Sequence, residues 1–182
     1  MLRFFDFFFS LLGLLVLSPV IGTLYVFGLC DTGSPIFRQE RVGQHGRSFT
    51  LLKFRTMTVG TQSVASHLAS VDAITPFGRF LRRTKLDELP QLWNVFKGEM
   101  SLVGPRPCLF SQSELIKERR LRGVLSVRPG ITGLAQIRGI DMSTPRLLAE
   151  TDAAMLESLS IISYFRYLYL TLRGEGRGDR VR

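Results

Sequence analysis

No charge occurs between Asp6 and Asp31, and the interval is rich in Phe, Leu and Val. A membrane helix needs about 20 apolar residues, so this segment is long enough to be one. A cleaved signal peptide is the alternative, and it fits poorly. Only Arg3 precedes the apolar run, Asp6 follows close behind it, and no Ala-x-Ala site comes after. Nor does Phe27-Gly28-Leu29-Cys30 have the form of a lipoprotein cleavage site. Ser18-Pro19 falls in mid-segment, where proline removes one backbone hydrogen bond and crowds the preceding turn. A kinked spanning helix is one outcome, because membrane helices tolerate proline. Every basic residue but Arg3 follows the segment, which places the body on the cytoplasmic side.

The remainder suits one domain. A chain of 182 residues with an anchor has enough core to need no disulfides, and its two cysteines, Cys30 and Cys108, give no framework. The net charge of +9 predicts anionic partners. Nucleic acid, an anionic bilayer surface and a phosphorylated substrate all qualify, so charge alone does not choose.

The most informative stretch of the body runs from Lys85 to Pro107. Asp87 and Glu88 follow a basic run of Arg79, Arg82, Arg83 and Lys85, and Pro90 is placed to open a helix. Leu89, Leu92, Trp93 and Phe96 recur at helical spacing and predict one apolar face. Gly98 is placed to end the helix, and Gly104-Pro105-Arg106-Pro107 forms a rigid turn that presents one arginine. An acid pair, a helix and an arginine turn together read as a site for a metal and a phosphate. The structural alternative is that Asp87 and Glu88 only complement a helix N-terminus, an effect of a few tenths to about 1 kcal/mol.

Elsewhere the patterns are plainer. Ile36 to Gln39 and Phe49 to Thr56 read as short strands around the Gly43-Gln44-His45-Gly46 loop. Lys53 and Arg55 alternate with Leu52 and Phe54, so both cations share a face, either a phosphate clamp or a solvated surface. Thr58 to Ala73 is polar and small, a loop or weak helix. His45 and His67 lack partners at zinc-ligand spacing. Thr75 to Arg83 is a basic amphipathic start whose Phe77, Phe80 and Leu81 face either a bilayer interface or the core. Ser113 to Leu125 reads as a solvated helix with charges at i,i+4, and no chemistry is assigned to it. Arg128-Pro129-Gly130 with Gly133 is a second turn presenting an arginine, suited to pyrophosphate. Pro145 to Leu172 reads as one or two helices, its aromatics lying in the core or at headgroup level. The residues from Gly174 are glycine- and arginine-rich and read as a disordered basic tail.

In these motifs the chain resembles the bacterial sugar transferases, the small single-domain monotopic polyprenyl-phosphate phosphoglycosyl transferases. The resemblance rests on the Lys85–Pro107 stretch, Gly33-Ser34-Pro35-Ile36-Phe37-Arg38-Gln39-Glu40-Arg41-Val42-Gly43, Lys53-Phe54-Arg55-Thr56-Met57, and Arg128-Pro129-Gly130-Ile131-Thr132-Gly133-Leu134-Ala135-Gln136. It covers nearly the whole chain in order. It implies a helix-rich α+β fold: a re-entrant membrane helix bent at Ser18 and Pro19 (residues 1–30), a cytoplasmic catalytic domain with a short β-hairpin and amphipathic interfacial helices (31–173), and the basic tail (174–182). Many relatives carry an acid near the position of Tyr164 and Gly-Arg where this chain has Gly139-Ile140, and here it departs from them.

The resemblance also implies the chemistry. Asp87 would attack the β-phosphate of a UDP-sugar and release UMP. Polyprenyl (undecaprenyl) phosphate would then take the phosphosugar, in a first membrane step of surface glycan assembly on the cytoplasmic face of the bacterial inner membrane. Asp87 and Glu88 would be the catalytic pair and would hold Mg2+, Glu88 helping with the metal or assisting the acceptor, while Lys53, Arg55, Arg82, Arg83, Arg106 and Arg128 would bind phosphate. Gln136, Arg138 and Asp152 would lie in the nucleotide or sugar region. The expected partners are the UDP-sugar, the lipid phosphate and an anionic lipid bilayer, with no nucleic acid. A nucleic-acid module would need a recognition element and no anchor. A scaffold without chemistry gives no reason for acids set among phosphate-type cations.

Overall fold

In a computed structural model the structure describes residues 2–61 and 71–176. It is a helix-rich α+β fold. The chain opens with α1 (Leu2–Val16) and α2 (Ser18–Thr32), bent by 63° across Leu17. Pro19 has no N–H to offer the Leu15 carbonyl, and the Ser18 hydroxyl donates to that oxygen instead, at 2.8 Å. The break therefore leaves no orphaned carbonyl there, and backbone bonding resumes with Ile21 N–H to Leu17 O. Among the described residues no single helix is long and apolar enough to cross a membrane, but the bent pair together passes that test.

The two helices of the pair bury different surfaces. The buried residues of α1 are Asp6 and Ser10, while Phe4, Phe8, Leu15 and Val16 are exposed. Asp6 accepts hydrogen bonds from Ser101 Oγ, Leu102 N and Tyr164 Oη, all between 2.8 and 2.9 Å. Arg3 donates to the Val95 and Phe96 carbonyls at a helix C-terminus, where a cation is favoured. On α2, Leu24 packs with Phe54 and Leu81. The inner surface of residues 1–30, where the anchor is expected, packs on the body's core. Tyr164 is fully buried and meets a carboxylate supplied by α1.

Strands β1 (Ile36–Val42) and β2 (Ser48–Phe54) form the expected antiparallel hairpin, with Phe37 opposite Lys53 and Arg41 opposite Phe49. The first strand runs three residues past the expected Gln39. Then come α3 (Pro76–Thr84), a 3-10 turn (Leu86–Glu88) and α4 (Gln91–Lys97), which ends at Gly98 with φ +88°. On α4 the core takes Gln91, Asn94 and Val95, whereas Trp93 is 47% exposed and stacks on Phe96. The apolar stripe read from the sequence packs instead toward α1, where Phe7 stacks on Phe96. The inward Asn94 donates to the Thr50 carbonyl and accepts from the Leu52 N–H, which ties α4 to the hairpin.

A second, parallel pair joins β3 (Ser101–Val103) to β4 (Gly130–Thr132). Gly104 and Gly130 touch backbone to backbone, so that a Cβ on Gly130 would lie 2.1 Å from Gly104 N. Helices α5 (Ser113–Leu121), α6 (Leu134–Ile137), α7 (Pro145–Glu157) and α8 (Ile161–Leu172) complete the body. Helix α5 is not the solvated helix expected, since its Arg119 is 2% exposed. On α3, Leu81 is core and Phe80 is exposed, so the predicted apolar face divides between the two environments. Gly176, within the tail expected from Gly174, lies against Gln136, and residues 177–182 lie outside the described residues.

Tyr164→Phe should destabilise the protein by about 1.5–3 kcal/mol, the worth of a hydrogen bond to a charged group. Asp6→Ala should be more damaging, because three donors lose their acceptor. Thermal melts in detergent check this, and a Tyr164→Phe variant melting like wild type would remove the Asp6 hub from the account.

Candidate active site

The acid pair sits where two helices fail to join. Lys85 closes α3 in the left-handed conformation (φ +59°), and Leu86–Glu88 makes a single 3-10 turn before Pro90 starts α4. That turn buries Asp87 to 9% exposure and aims both carboxylates into a cavity of about 750 Å3. The walls come from the hairpin (Lys53, Arg55), α3 (Arg82, Arg83), the Pro105–Pro107 turn (Arg106), and β4, α6 and the end of α8 (Thr132, Gln136, Thr171).

The two acids are held differently. Glu88 Oε1 accepts from Lys53 Nζ at 3.2 Å and from Arg106 Nη2 at 3.0 Å, so two cations fix it. Among the described residues no hydrogen bond reaches the Asp87 carboxylate. Burial pushes its pKa up to about 6; Lys53 opposes this, Glu88 adds to it, and Arg106 and Arg82 oppose it. Glu88 is thus a fixed anion that orients two cations, and Asp87 is a desolvated carboxylate with its oxygens available. Burial also lowers the pKa of Lys85, against the pull of Glu88.

The remaining cations are aimed by ordinary packing. Arg55 donates to the Ser34 carbonyl and lies over the Phe37 ring at 5.6 Å. Arg82 Nε donates to Thr56 Oγ1, which leaves Nη1 buried without a partner among the described residues. Both amide atoms of Gln136 are in the same state. Unpaired buried polar groups are costly, so these atoms are ready for a polar ligand.

Of the residues expected from the sequence, the structure brings Asp87, Glu88, Lys53, Arg55, Arg82, Arg83, Arg106 and Gln136 to one cavity. It does not bring Arg128, Arg138 or Asp152. Arg128 Nε donates to the Gly98 carbonyl, so the second arginine turn closes off α4. Arg138 is exposed. Asp152 is fully buried against Arg119, away from the cavity. Sequence reasoning missed the cavity's floor, Thr132 and Thr171, whose hydroxyls share a hydrogen bond. It also missed Gly174 to Gly176, where the Glu175 carbonyl takes Lys85 Nζ. His67 lies outside the described residues.

The raised pKa of Asp87 has a stability consequence. Folding favours its protonated form, so the stability this gives is complete below about pH 3.8 and lost as pH rises through about 6. In metal-free buffer at pH 8, Asp87→Asn should therefore be more stable to unfolding than wild type, by up to about 3 kcal/mol, and melt at a higher temperature. The gap should close as pH falls to about 4. Coincident melting at pH 8 would show that the surrounding cations fully offset the burial.

Comparison with known proteins supplies the frame for this geometry. The bacterial sugar transferase family matches residues 1–175. The chain is 44% identical over 142 residues to a Bacillus subtilis protein named uncharacterized sugar transferase EpsL, covering 78% of this chain and 70% of that one. It is 39% identical over 154 residues to the undecaprenyl-phosphate galactose phosphotransferase of Salmonella typhimurium, covering 75% of this chain and 32% of the relative. It is 40% identical over 147 residues to the UDP-glucose:undecaprenyl-phosphate glucose-1-phosphate transferase of Caulobacter vibrioides, covering 78% and 55%. The chain thus spans about a third of one such relative and about half of another. On a match across nearly its whole length, the chain belongs to the bacterial sugar transferase family.

Proposed function

We propose that this protein transfers a sugar-1-phosphate from a UDP-sugar to a polyprenyl phosphate and releases UMP. The observation that carries the reading is the desolvated Asp87 beside a Glu88 that is pinned by Lys53 and Arg106, within one cation-walled cavity. The names of the relatives from Salmonella and Caulobacter support the same substrate classes.

Two strongly anionic substrates repel each other, and the cations of the wall relieve that repulsion. A carboxylate oxygen of Asp87 attacks the β-phosphorus of the donor. The bond from that phosphorus to the oxygen bridging to the α-phosphate breaks, and UMP leaves with the electron pair. Arg106 and Lys53, already oriented by Glu88, hold the phosphoryl oxygens as charge shifts. An oxygen of the lipid phosphate then attacks the same phosphorus and breaks the aspartyl bond. This yields a polyprenyl-diphosphate sugar and restores the Asp87 carboxylate. Gln136, Thr132 and Thr171 are uncharged groups of the cavity wall and suit the neutral part of the donor.

The residues fit Mg2+. Such an ion is commonly held by one or two carboxylates together with substrate phosphates and waters, and Asp87 and Glu88 supply that share. When bound it would neutralise diphosphate charge. The outward Phe, Leu and Val side chains of the bent pair fit a bilayer that is entered and left on one face. In lipid, a carbonyl freed by Pro19 would be expensive, and the Ser18 hydroxyl covers it. On this reading the site works at the cytoplasmic face of the inner membrane.

Two outcomes follow. Leu2→Cys, in a background with Cys30 and Cys108 replaced, should resist impermeant thiol reagent in intact cells; labelling there would mean a spanning helix. Purified protein with Mg2+ and its UDP-sugar, but no lipid acceptor, should release about one UMP per site. It should also carry a phosphosugar on the Asp87 peptide. Asp87→Asn should lose both signals, and chelation should suppress the burst. A protein competent in full turnover that shows neither signal would instead join the lipid phosphate directly to the donor, with the acids serving the metal alone.

A further inference from the structure

Arg119 does not line the cavity, yet all three of its nitrogens are engaged in the interior. Nε and Nη2 donate to Asp152 Oδ2 at 3.0 and 2.7 Å, and Nη1 donates to the Arg106 carbonyl at 2.8 Å. Arg119 is 2% exposed and Asp152 is fully buried. A buried ion pair is a poor device for stability, because desolvation offsets the attraction and apolar replacements often serve as well. The third bond gives this pair a different purpose.

Each carbonyl of the Pro105-Arg106-Pro107 turn is held by a different element. The Gly130 N–H on β4 donates to Pro105 O at 2.8 Å, and Arg119 on α5 takes Arg106 O. Arg41 on β1, itself bonded to Gln39 Oε1, donates to Pro107 O at 3.1 Å. The flanking prolines have no N–H and fix their own φ, so they limit the turn's freedom but cannot anchor it. The donors come from outside, and the middle one depends on Asp152 to orient it. From this clamped turn the Arg106 side chain reaches Glu88.

We propose that Arg119 and Asp152 are positioning residues: they hold the Arg106 backbone so that its guanidinium meets a diphosphate in a fixed orientation. The proposal rests on Arg106 being a phosphate ligand, as the function proposed above requires. It gives Asp152 a role through Arg106 rather than through nucleotide or sugar. It also explains a charged pair in the interior of a region that carries no chemistry itself.

The test is a cycle of UDP binding by calorimetry on the full chain with Mg2+, with folding checked by thermal melts. Arg106→Ala should weaken UDP binding about tenfold, the scale of a lost fork contact to phosphate. The double variant Arg119→Met with Asp152→Leu leaves no unpaired buried charge and should stay folded. It should weaken UDP several-fold although every cavity residue is intact. In the Arg106→Ala background the same double variant should add nothing, because its effect passes through Arg106. A folded double variant that binds UDP like wild type overturns the proposal, and so do losses that multiply in the triple variant. Arg106→Ala binding like wild type overturns the phosphate role of Arg106 itself, and the positioning role with it. If the double variant does not fold, Arg119→Lys gives the same decision: it keeps a cation for Asp152 but has one nitrogen in place of the fork that also takes the Arg106 carbonyl. It should weaken UDP only when Arg106 is present, and unchanged binding overturns the proposal.

Discussion

The Asp6 carboxylate is the contact on which most of the structure depends. It gathers a hydroxyl and an amide from the start of β3 and a phenol from α8, all against the first turns of an otherwise apolar helix. A carboxylate with three donors in the interior is stable only if every element that supplies one stays in place. Arg3, one turn earlier, fixes the end of α4 in the same way. The helix pair is therefore joined to the body by polar contacts as well as by apolar ones such as Leu24 and Phe7, while Phe4, Phe8, Leu15 and Val16 face outward.

That arrangement organises the site. Helix α4 receives Arg3 at its C-terminus and follows the acid pair at its N-terminus. Strand β3 receives Asp6 at Ser101 and Leu102 and leads, through Gly104, into the turn that carries Arg106. The two short elements that seat the N-terminal helix pair are thus the two that adjoin the acid turn and the Arg106 turn. The hairpin supplies the opposing wall, and Asn94 locks it to α4. Asp87 can remain buried, at a real cost in stability, because its neighbours are fixed from several directions.

Much of this was legible in the sequence. The period-two alternation around Lys53 and Arg55 gave the hairpin and its cationic face, Gly98 marked the end of α4, and Ser18-Pro19 marked the break. The acid pair stood out because two carboxylates beside a cationic run need a reason. What escaped did so for physical causes. Strands β3 and β4 are three residues each, too short for any periodicity, and they exist because two glycines allow the backbones to meet. Arg119 looked like one charge among many on a solvated helix, and only its spacing of four from Leu115 hinted that it faces inward. Its partner Asp152 is 33 positions away, beyond any local pattern. Arg128 was misplaced because a proline-glycine turn presents an arginine equally well to a phosphate or to a helix end.

The brevity of α4 has a further meaning. At about 1.5 Å per residue its seven residues span roughly 10 Å, and no flexible joint separates Arg3 at one end from the acid turn at the other. A site carried on so short and stiff a strut works at one fixed altitude above the point where α1 leaves the body. For the proposed reaction, an acceptor whose tail is confined to the bilayer presents its phosphate within a narrow layer. The enzyme then meets it by moving sideways in a plane rather than by searching a volume. Lengthening the strut by a single turn would lift the acids out of that layer without changing one residue of the site.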